Sequence, residues 1–346
     1  MTADRPTMED VATRAGVSRS LVSIVFRGVP GASEATRTRV RDAAAELGYV
    51  PDRRASRLGR ARTRMIGVVF DVGGDFHAQV IDGMYAAAEA HGYEIVLSAA
   101  TQRRDEAAAV RAVLAERCEA VVLVGPRLSE EDIADLAAGL PTLVLLRPLD
   151  LPGVDTIRTD EDAAMQLLID HLHGLGHEGI LHLDGGQAAA AQERRIAFEA
   201  AMCRHGLAPQ ITEGGWTEDA GAHAADDLFG LAAASRPSAV VAFNDRCALG
   251  VLHTARARGL VLPEDFSLTG FDDIAAASYR HTQLTTMRQD ADLIGRYAVD
   301  QLRARLEARG NAEATERLDR LVAPSLVVRS STGPARRLAG PVDSHG

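Results

Sequence analysis

Two groups of residues in this 346-residue chain could do more than pack. In the first, Ser18 stands directly before Arg19 and Ser20. A serine hydroxyl at a helix start satisfies free backbone N–H groups, so Arg19 and Ser20 would ride on the first turn of a short helix from Ser18 to Phe26. A guanidinium held there can fork onto two acceptors, such as a phosphate or the edge of a guanine. The second group is spread along the chain: Arg194, Asn244-Asp245, Asp272-Asp273 and Trp216, the only tryptophan. Carboxylates accept hydroxyl protons, an amide and a guanidinium donate, and an indole covers an apolar sugar face. Together they suit a polyhydroxylated ligand.

Metal and catalytic readings are weaker. His173 and His177 have the spacing of a helical metal pair, with His171 nearby, but Gly174 and Gly176 interrupt the helix and no third ligand stands at a suitable distance. His177 fits better at a helix C-terminus, bonding free carbonyls. Adjacent carboxylates at Asp272 and Asp273 point in different directions, and no activated nucleophile or phosphate-binding glycine loop accompanies them. Neither a metal, a cofactor nor catalysis is expected. Cys118, Cys203 and Cys247 are unpatterned and read as reduced structural thiols.

The elements that must carry these residues fall into two styles. Met8–Ala15 has a helical apolar pattern, Gly16-Val17 breaks it, Ser18 opens the second helix, and a third runs from Ser33 with Val40, Ala43, Ala44 and Leu47 recurring until Gly48. This is helix-turn-helix punctuation, with Leu21, Val22 and Val25 facing inward. After a basic linker, Arg53–Arg64, short apolar strands alternate with amphipathic helices. Strands are expected at Met65–Phe70, Glu94–Ser98, Ala120–Val124, Thr142–Leu146, Gly179–Leu183, Ala239–Phe243 and Phe266–Gly270. Helices between them include Gln79–His91, Asp105–Arg117, Asp162–Leu175, Gln192–His205 and Cys247–Arg258. Such alternation implies parallel sheets with helices on both faces, and its length implies two α/β lobes with a cleft at the carboxyl ends of the strands.

Charge divides the chain in the same way. Residues 1–64 hold 13 arginines against 7 acids, a net of +6, whereas the remainder holds 25 against 41, a net of −16. An acidic total of −10 thus hides a basic head, the footprint of a module that neutralises phosphates. No apolar run reaches the ~20 residues of a membrane span and no hydrophobic signal core opens the chain, so a cytoplasmic, nucleoid-associated protein is expected.

The runs DVATRAGVSRSLVS and RVRDAAAELGYVP, the segment Asp52–Leu58, and later DHLHGLGHEGILHL, FNDRCALGVLHTARARGLVLPEDFSLTGFDD and LTTMRQD resemble the LacI/GalR family of bacterial transcription regulators over nearly the whole chain. The resemblance implies an all-α headpiece (1–50), a hinge helix and linker (51–64), a two-lobed periplasmic-binding-protein-like domain for effector binding and dimerisation (65–330) and a flexible tail (331–346). It assigns DNA contacts to Ser18, Arg19, Ser20, Ser23, Ile24 and Arg27 on the second helix, and to Arg53, Ala55 and Leu58 in the hinge, Leu58 as a minor-groove wedge. It assigns effector contacts to Phe76, His77, Arg194, Trp216, Asn244 and Asp272. The partners implied are a pseudo-palindromic double-stranded operator, a small-molecule effector, a sugar first and purines or nucleosides next, and a second copy of the chain. The tail lacks the leucine heptads of a tetramer.

Several positions depart from the family pattern. Ile24 and Arg27 replace a frequent arginine and asparagine, Asp52 replaces asparagine, Ser56-Arg57 reverses a common pair, and Gly74-Asp75 stands where Asn-Pro is common. Plainer readings also stand beside the functional ones. Asp245 and Asp273 read as helix caps, Arg194 with Arg195 as a solvated pair, Trp216 and Phe76 as core, and Arg19 as a phosphate contact. Rival functions on the same fold are a sugar-binding transport protein, which would need an export signal and no basic head, and a sugar-acting enzyme.

Overall fold

The computed structural model describes residues 6–50, 62–232, 235–308 and 316–336. The chain forms two compact units, Met1–Thr63 and Arg64–Gly346. In the first, α1 (Met8–Ala15), α2 (Arg19–Arg27) and α3 (Glu34–Leu47) each start on a hydroxyl cap and end on a left-handed glycine. Thr7 and Asp10 close a reciprocal capping box, while Ser18 and Ser33 accept from the N–H groups of Leu21 and Thr36. Apolar side chains at helical spacing meet in one small core of Val11, Ala12, Ala15, Val22, Val25, Val40, Ala43 and Ala44. Leu21, expected inside, is only half-buried and lies off that core.

The second unit alternates strands and helices. Its first part runs β1 (Met65–Asp71), α4 (Asp75–Ala90), β2 (Glu94–Ala100), α5 (Glu106–Ala115), β3 (Ala120–Val124), α6 (Glu130–Gly139), β4 (Thr142–Leu145) and β5 (Val154–Thr159). Then come α7 (Glu161–Gly174), β6 (Ile180–Asp184), α8 (Ala191–Arg204), β7 (Gln210–Glu213), α9 (Glu218–Gly230), β8 (Ala239–Ala242), α10 (Asp245–Ala257), β9 (Ser267–Asp272) and β10 (Thr285–Arg288). The chain closes with α11 (Ala291–Ala308), β11 (Asp319–Val322) and β12 (Ser325–Val327). Two six-stranded sheets result, ordered β11-β5-β4-β3-β1-β2 and β12-β10-β9-β8-β6-β7, all parallel except for β12. All seven expected strands form, and β5, β7, β10, β11 and β12 are added. The added strands are short or carry charged residues, so their sequences show no apolar run.

Each sheet and its helices make a lobe with its own apolar core on each face. The lobes are not consecutive in sequence. The chain passes between them three times, at β5 to α7, at β10 to α11 and at β11 to β12. Glycines permit the closest helix pairs: a Cβ on Gly250 of α10 would fall 2.0 Å from the Glu218 carbonyl oxygen of α9, and one on Gly295 of α11 would fall 2.6 Å from the Val80 carbonyl oxygen of α4. The stretch Ser331–Arg336, placed by sequence in the tail, is packed on the second lobe. The buried hydroxyl of Ser331 accepts from Thr285 N and donates to the Leu268 carbonyl, and Ala335 N bonds to the Leu175 carbonyl. Hydrogen bonds, not an apolar pattern, hold it there. Among the described residues no helix is long and apolar enough to cross a membrane.

Candidate functional site

On the headpiece, Ser18, Arg19, Ser20 and Arg27 are exposed, and Ser23 and Ile24 are half-buried. Burying Val22 and Val25 forces the opposite stripe of α2, with Arg19, Ser20, Ser23 and Arg27, toward solvent. Ser18 caps the helix and also shares a hydrogen bond of 2.9 Å with the Ser20 hydroxyl. Arg27 turns back on its own helix, Nε donating to the Ser23 carbonyl at 3.3 Å. Ile24 packs toward the turn at Gly31, whose Cβ position lies 3.5 Å from its side chain. Arg53, Ala55 and Leu58 lie outside the described residues.

In the second unit the carboxyl ends of both sheets face one cleft of about 870 Å³, part of it open to solvent. Phe76, His77, Arg194, Trp216, Asn244 and Asp272 all line it. Phe76 and His77 begin α4, just past β1. Phe76 is 4% exposed and belongs to the core of the first lobe while also lining the cleft. His77 Nδ1 donates to the Asp71 carbonyl at 3.2 Å, since that oxygen can only accept. Burial pulls the His77 pKa below the ordinary histidine value. In the neutral ring, Nε2 is then left as an acceptor.

Arg194 is no solvated residue. It is 4% exposed, forks onto Glu161 through Nε and Nη2 at 2.9 Å each, and donates from Nη1 to the Phe243 carbonyl at 2.5 Å. Its guanidinium carbon lies 3.5 Å from the Phe271 ring centroid and 4.6 Å from that of Phe243. Each of its three nitrogens makes one of these bonds, which leaves a second N–H on Nη1 and on Nη2. Neighbouring Arg195, half-exposed, pairs with Asp184 at 3.1 Å.

The capping expectations are reversed. Asn244, not Asp245, caps α10: its carbonyl accepts from Cys247 N at 2.9 Å, and its amide donates to the Trp216 carbonyl at 3.1 Å. Asn244 therefore holds Trp216 as well as facing the cleft. Asp245 is fully buried, accepting from Ile274 N and the Thr286 hydroxyl, and burial raises its pKa well above the carboxylate range. Asp273 caps nothing either; it pairs with Arg288 and Arg329 at 2.6 and 2.7 Å. Asp272 and Asp273 have φ of 113° and 56°, so the backbone turns sharply where β9 ends. Asp272 accepts from Gln289 at 2.6 Å, and burial lifts its pKa to about 7 against the lowering effect of Arg194.

Sequence reasoning missed Asp71, Arg127, Thr159, Glu161, Phe243, Arg246 and Gln289, which line the same cleft. Asp71 and Arg127 stand at the ends of β1 and β3, where the strand-end rule could have found them. Thr159, Glu161 and Gln289 lie at the passages between lobes, which no local pattern marks. Gln289 bridges Thr159 and Asp272. Asp272, through Gln289, and Arg194, through Glu161, are thus bonded to segments that join the lobes. His177 differs from expectation too: its ring bonds Ser238, Ser267 and the Gly333 carbonyl, not the end of α7. Of the three thiols, Cys247 is buried and Cys203 is exposed, so the latter is no core residue.

Comparison with known proteins gives a consistent picture. A family profile described as bacterial regulatory proteins, lacI family, matches residues 7–52, and one for a periplasmic binding protein-like domain matches residues 169–332. The chain is 31% identical over 340 residues to the HTH-type transcriptional repressor CytR of Escherichia coli (strain K12), covering 94% of this chain and 96% of that protein. It is 30% identical over 336 residues to the repressor PurR of Vibrio campbellii, covering 94% and 98%. Among solved structures it is similar to a LacI transcriptional regulator from a Rhodococcus species, with a TM-score of 0.74, 41% identity and coverage of 78% and 99%. The lac repressor dimer bound to operator and the anti-inducer ONPF gives a TM-score of 0.79 at 28% identity, covering 95% of this chain and 100% of that one. A CelR–cellobiose complex gives 0.69 at 28% identity, covering 94% and 100%.

Proposed function

The chain belongs to the lacI family of bacterial regulatory proteins, and from that premise we propose that it is a transcriptional repressor whose operator affinity is set by a small molecule bound between its two α/β lobes. The observation that carries this reading is the convergence of six cleft residues in a chain that also bears an exposed helix-turn-helix stripe. Two copies would bind a pseudo-palindromic site, each laying α2 in the major groove. Arg19 and Ser20 would read base edges. Ser18, Ser23, Ile24 and Arg27 would flank them, with Arg53, Ala55 and Leu58 acting from a hinge in 51–64 between the headpiece and the effector domain. Such a protein works in the cytoplasm, on the nucleoid.

The effector would be a sugar or a nucleoside-like molecule: Asp272 and His77 Nε2 accept, Arg194 and Asn244 donate, and Trp216 with Phe76 covers apolar faces. The chain is not an enzyme. Effector and operator affinities are linked, so the lobe geometry that the ligand favours fixes whether it releases or tightens the protein on DNA.

Selection of binding sites from random duplex DNA at stated salt tests the first half. The expected result is a palindrome with a flexible central pyrimidine-purine step, lost in Leu58→Ala. Failure to enrich any sequence, alone and with each ligand from a thermal-shift screen of sugars and nucleosides, would overturn it. In that screen a binding sugar or nucleoside should raise the melting temperature of the parent and not of Asp272→Asn.

A further inference from the structure

Two arginines reach across the mouth of the cleft in opposite directions. Arg246, in the first turn of α10, donates from Nη1 to the Gly73 carbonyl in the loop after β1. Arg127, beyond β3, lies over Trp216 at 6.0 Å from the ring centroid and is held within its own lobe by Asp71 at 2.9 Å. A Cβ at Gly73 would sit 3.6 Å from Trp216 Cζ3 and 3.7 Å from Arg246 Nη1, so the lobes approach closely at this loop, as they do at Gly125 and Ala189.

Arg246 is in an unusual place for a cation. The first turn of a helix is the positive end of its dipole, which disfavours a guanidinium there. Among the described residues Arg246 makes no ion pair, and its hydrogen-bond partner is the carbonyl of the opposite lobe. Arg127 keeps its Asp71 contact whether or not the lobes touch, whereas the Arg246 contact exists only when they do.

We propose that Arg246 is a latch residue, a positioning side chain whose bond to Gly73 sets the equilibrium between the closed and the open cleft. Its consequence for effector response rests on the reading of this cleft as the effector site, because apparent affinity scales with the closed fraction. The latch itself belongs to the two lobes and can be tested without effector or operator.

Trp216 supplies the reporter, being the only tryptophan and lying at the latch. Acrylamide quenching of its fluorescence and hydrogen exchange of the Val72–His77 amides are measured on the full-length protein and on Arg246→Ala. Arg246→Gln serves as a second variant should the alanine chain fail to fold. The expected result is a red-shifted emission, a quenching constant raised about two- to threefold and faster loop exchange, as a closed population falls. Circular dichroism should show unchanged helix content. Quenching equal to the parent's in the folded variants overturns the latch. Faster exchange without altered quenching also overturns it, since the loop then loosens while the lobes stay together, and so does altered quenching alone, which confines the change to the indole.

Discussion

At the scale of single residues, the cleft is governed by what burial does to charge. Asp272 has a pKa of about 7, above the ordinary 3.8, because desolvation outweighs the help of Arg194 and Gln289. An acid whose pKa is raised on folding binds protons more tightly when folded. Its contribution to stability therefore falls as pH rises from about 4 to about 7, by a few kcal/mol at most. Denaturation followed from pH 4 to pH 8 should show this slope in the parent and a flatter profile in Asp272→Asn; equal slopes would remove Asp272 as its source. Arg194 presents the opposite case. Its loss in Arg194→Ala leaves Glu161, itself 7% exposed, without a countercharge, and should cost about 3–5 kcal/mol in urea denaturation. Replacing both partners, Arg194→Met with Glu161→Gln, should recover much of that cost. If it does not, the arginine matters for its stacking on Phe271 more than for its charge.

At the scale of elements, helix starts and helix contacts were legible to different degrees. Ser18 caps as expected, and Ser33, read only as the start of α3, caps in the same way, because the cap is a bond between a hydroxyl and an N–H three residues on, a purely local event. Asn244 and Asp245 could not be told apart in this way, since either side chain can cap and only the packing of β9 and β10 against α10 drew Asp245 inward to Ile274 and Thr286. Gly250 likewise reads as a weak spot in a helix until α9 is laid against it. Gly250→Ala should destabilise the second unit by about 1–3 kcal/mol or more, because the added methyl meets backbone that cannot yield. A thermal midpoint unchanged from the parent's would mean that α9 and α10 separate freely.

At the scale of the whole chain, two units with separate cores should unfold separately. Calorimetry of the full-length protein is expected to show two transitions, with Ser33→Ala lowering the headpiece transition by ~1 kcal/mol and leaving the other in place. A single transition shifted by that change would show the units to be one cooperative body. The sequence by itself determined the helix-turn-helix head, the basic head on an acidic body, the seven apolar strands and the six residues that meet in the cleft. Periodicity, capping and charge are local properties, and the motif carried the rest. Only the tertiary structure decided that Arg194 is paired and buried, that Asn244 is the cap, that Gln289 ties Asp272 to the passages between lobes and that Arg246 spans the mouth. Those facts depend on three chain crossings that bring Thr159, Asp272 and Gln289 together from distant positions, and no local pattern encodes a meeting of that kind.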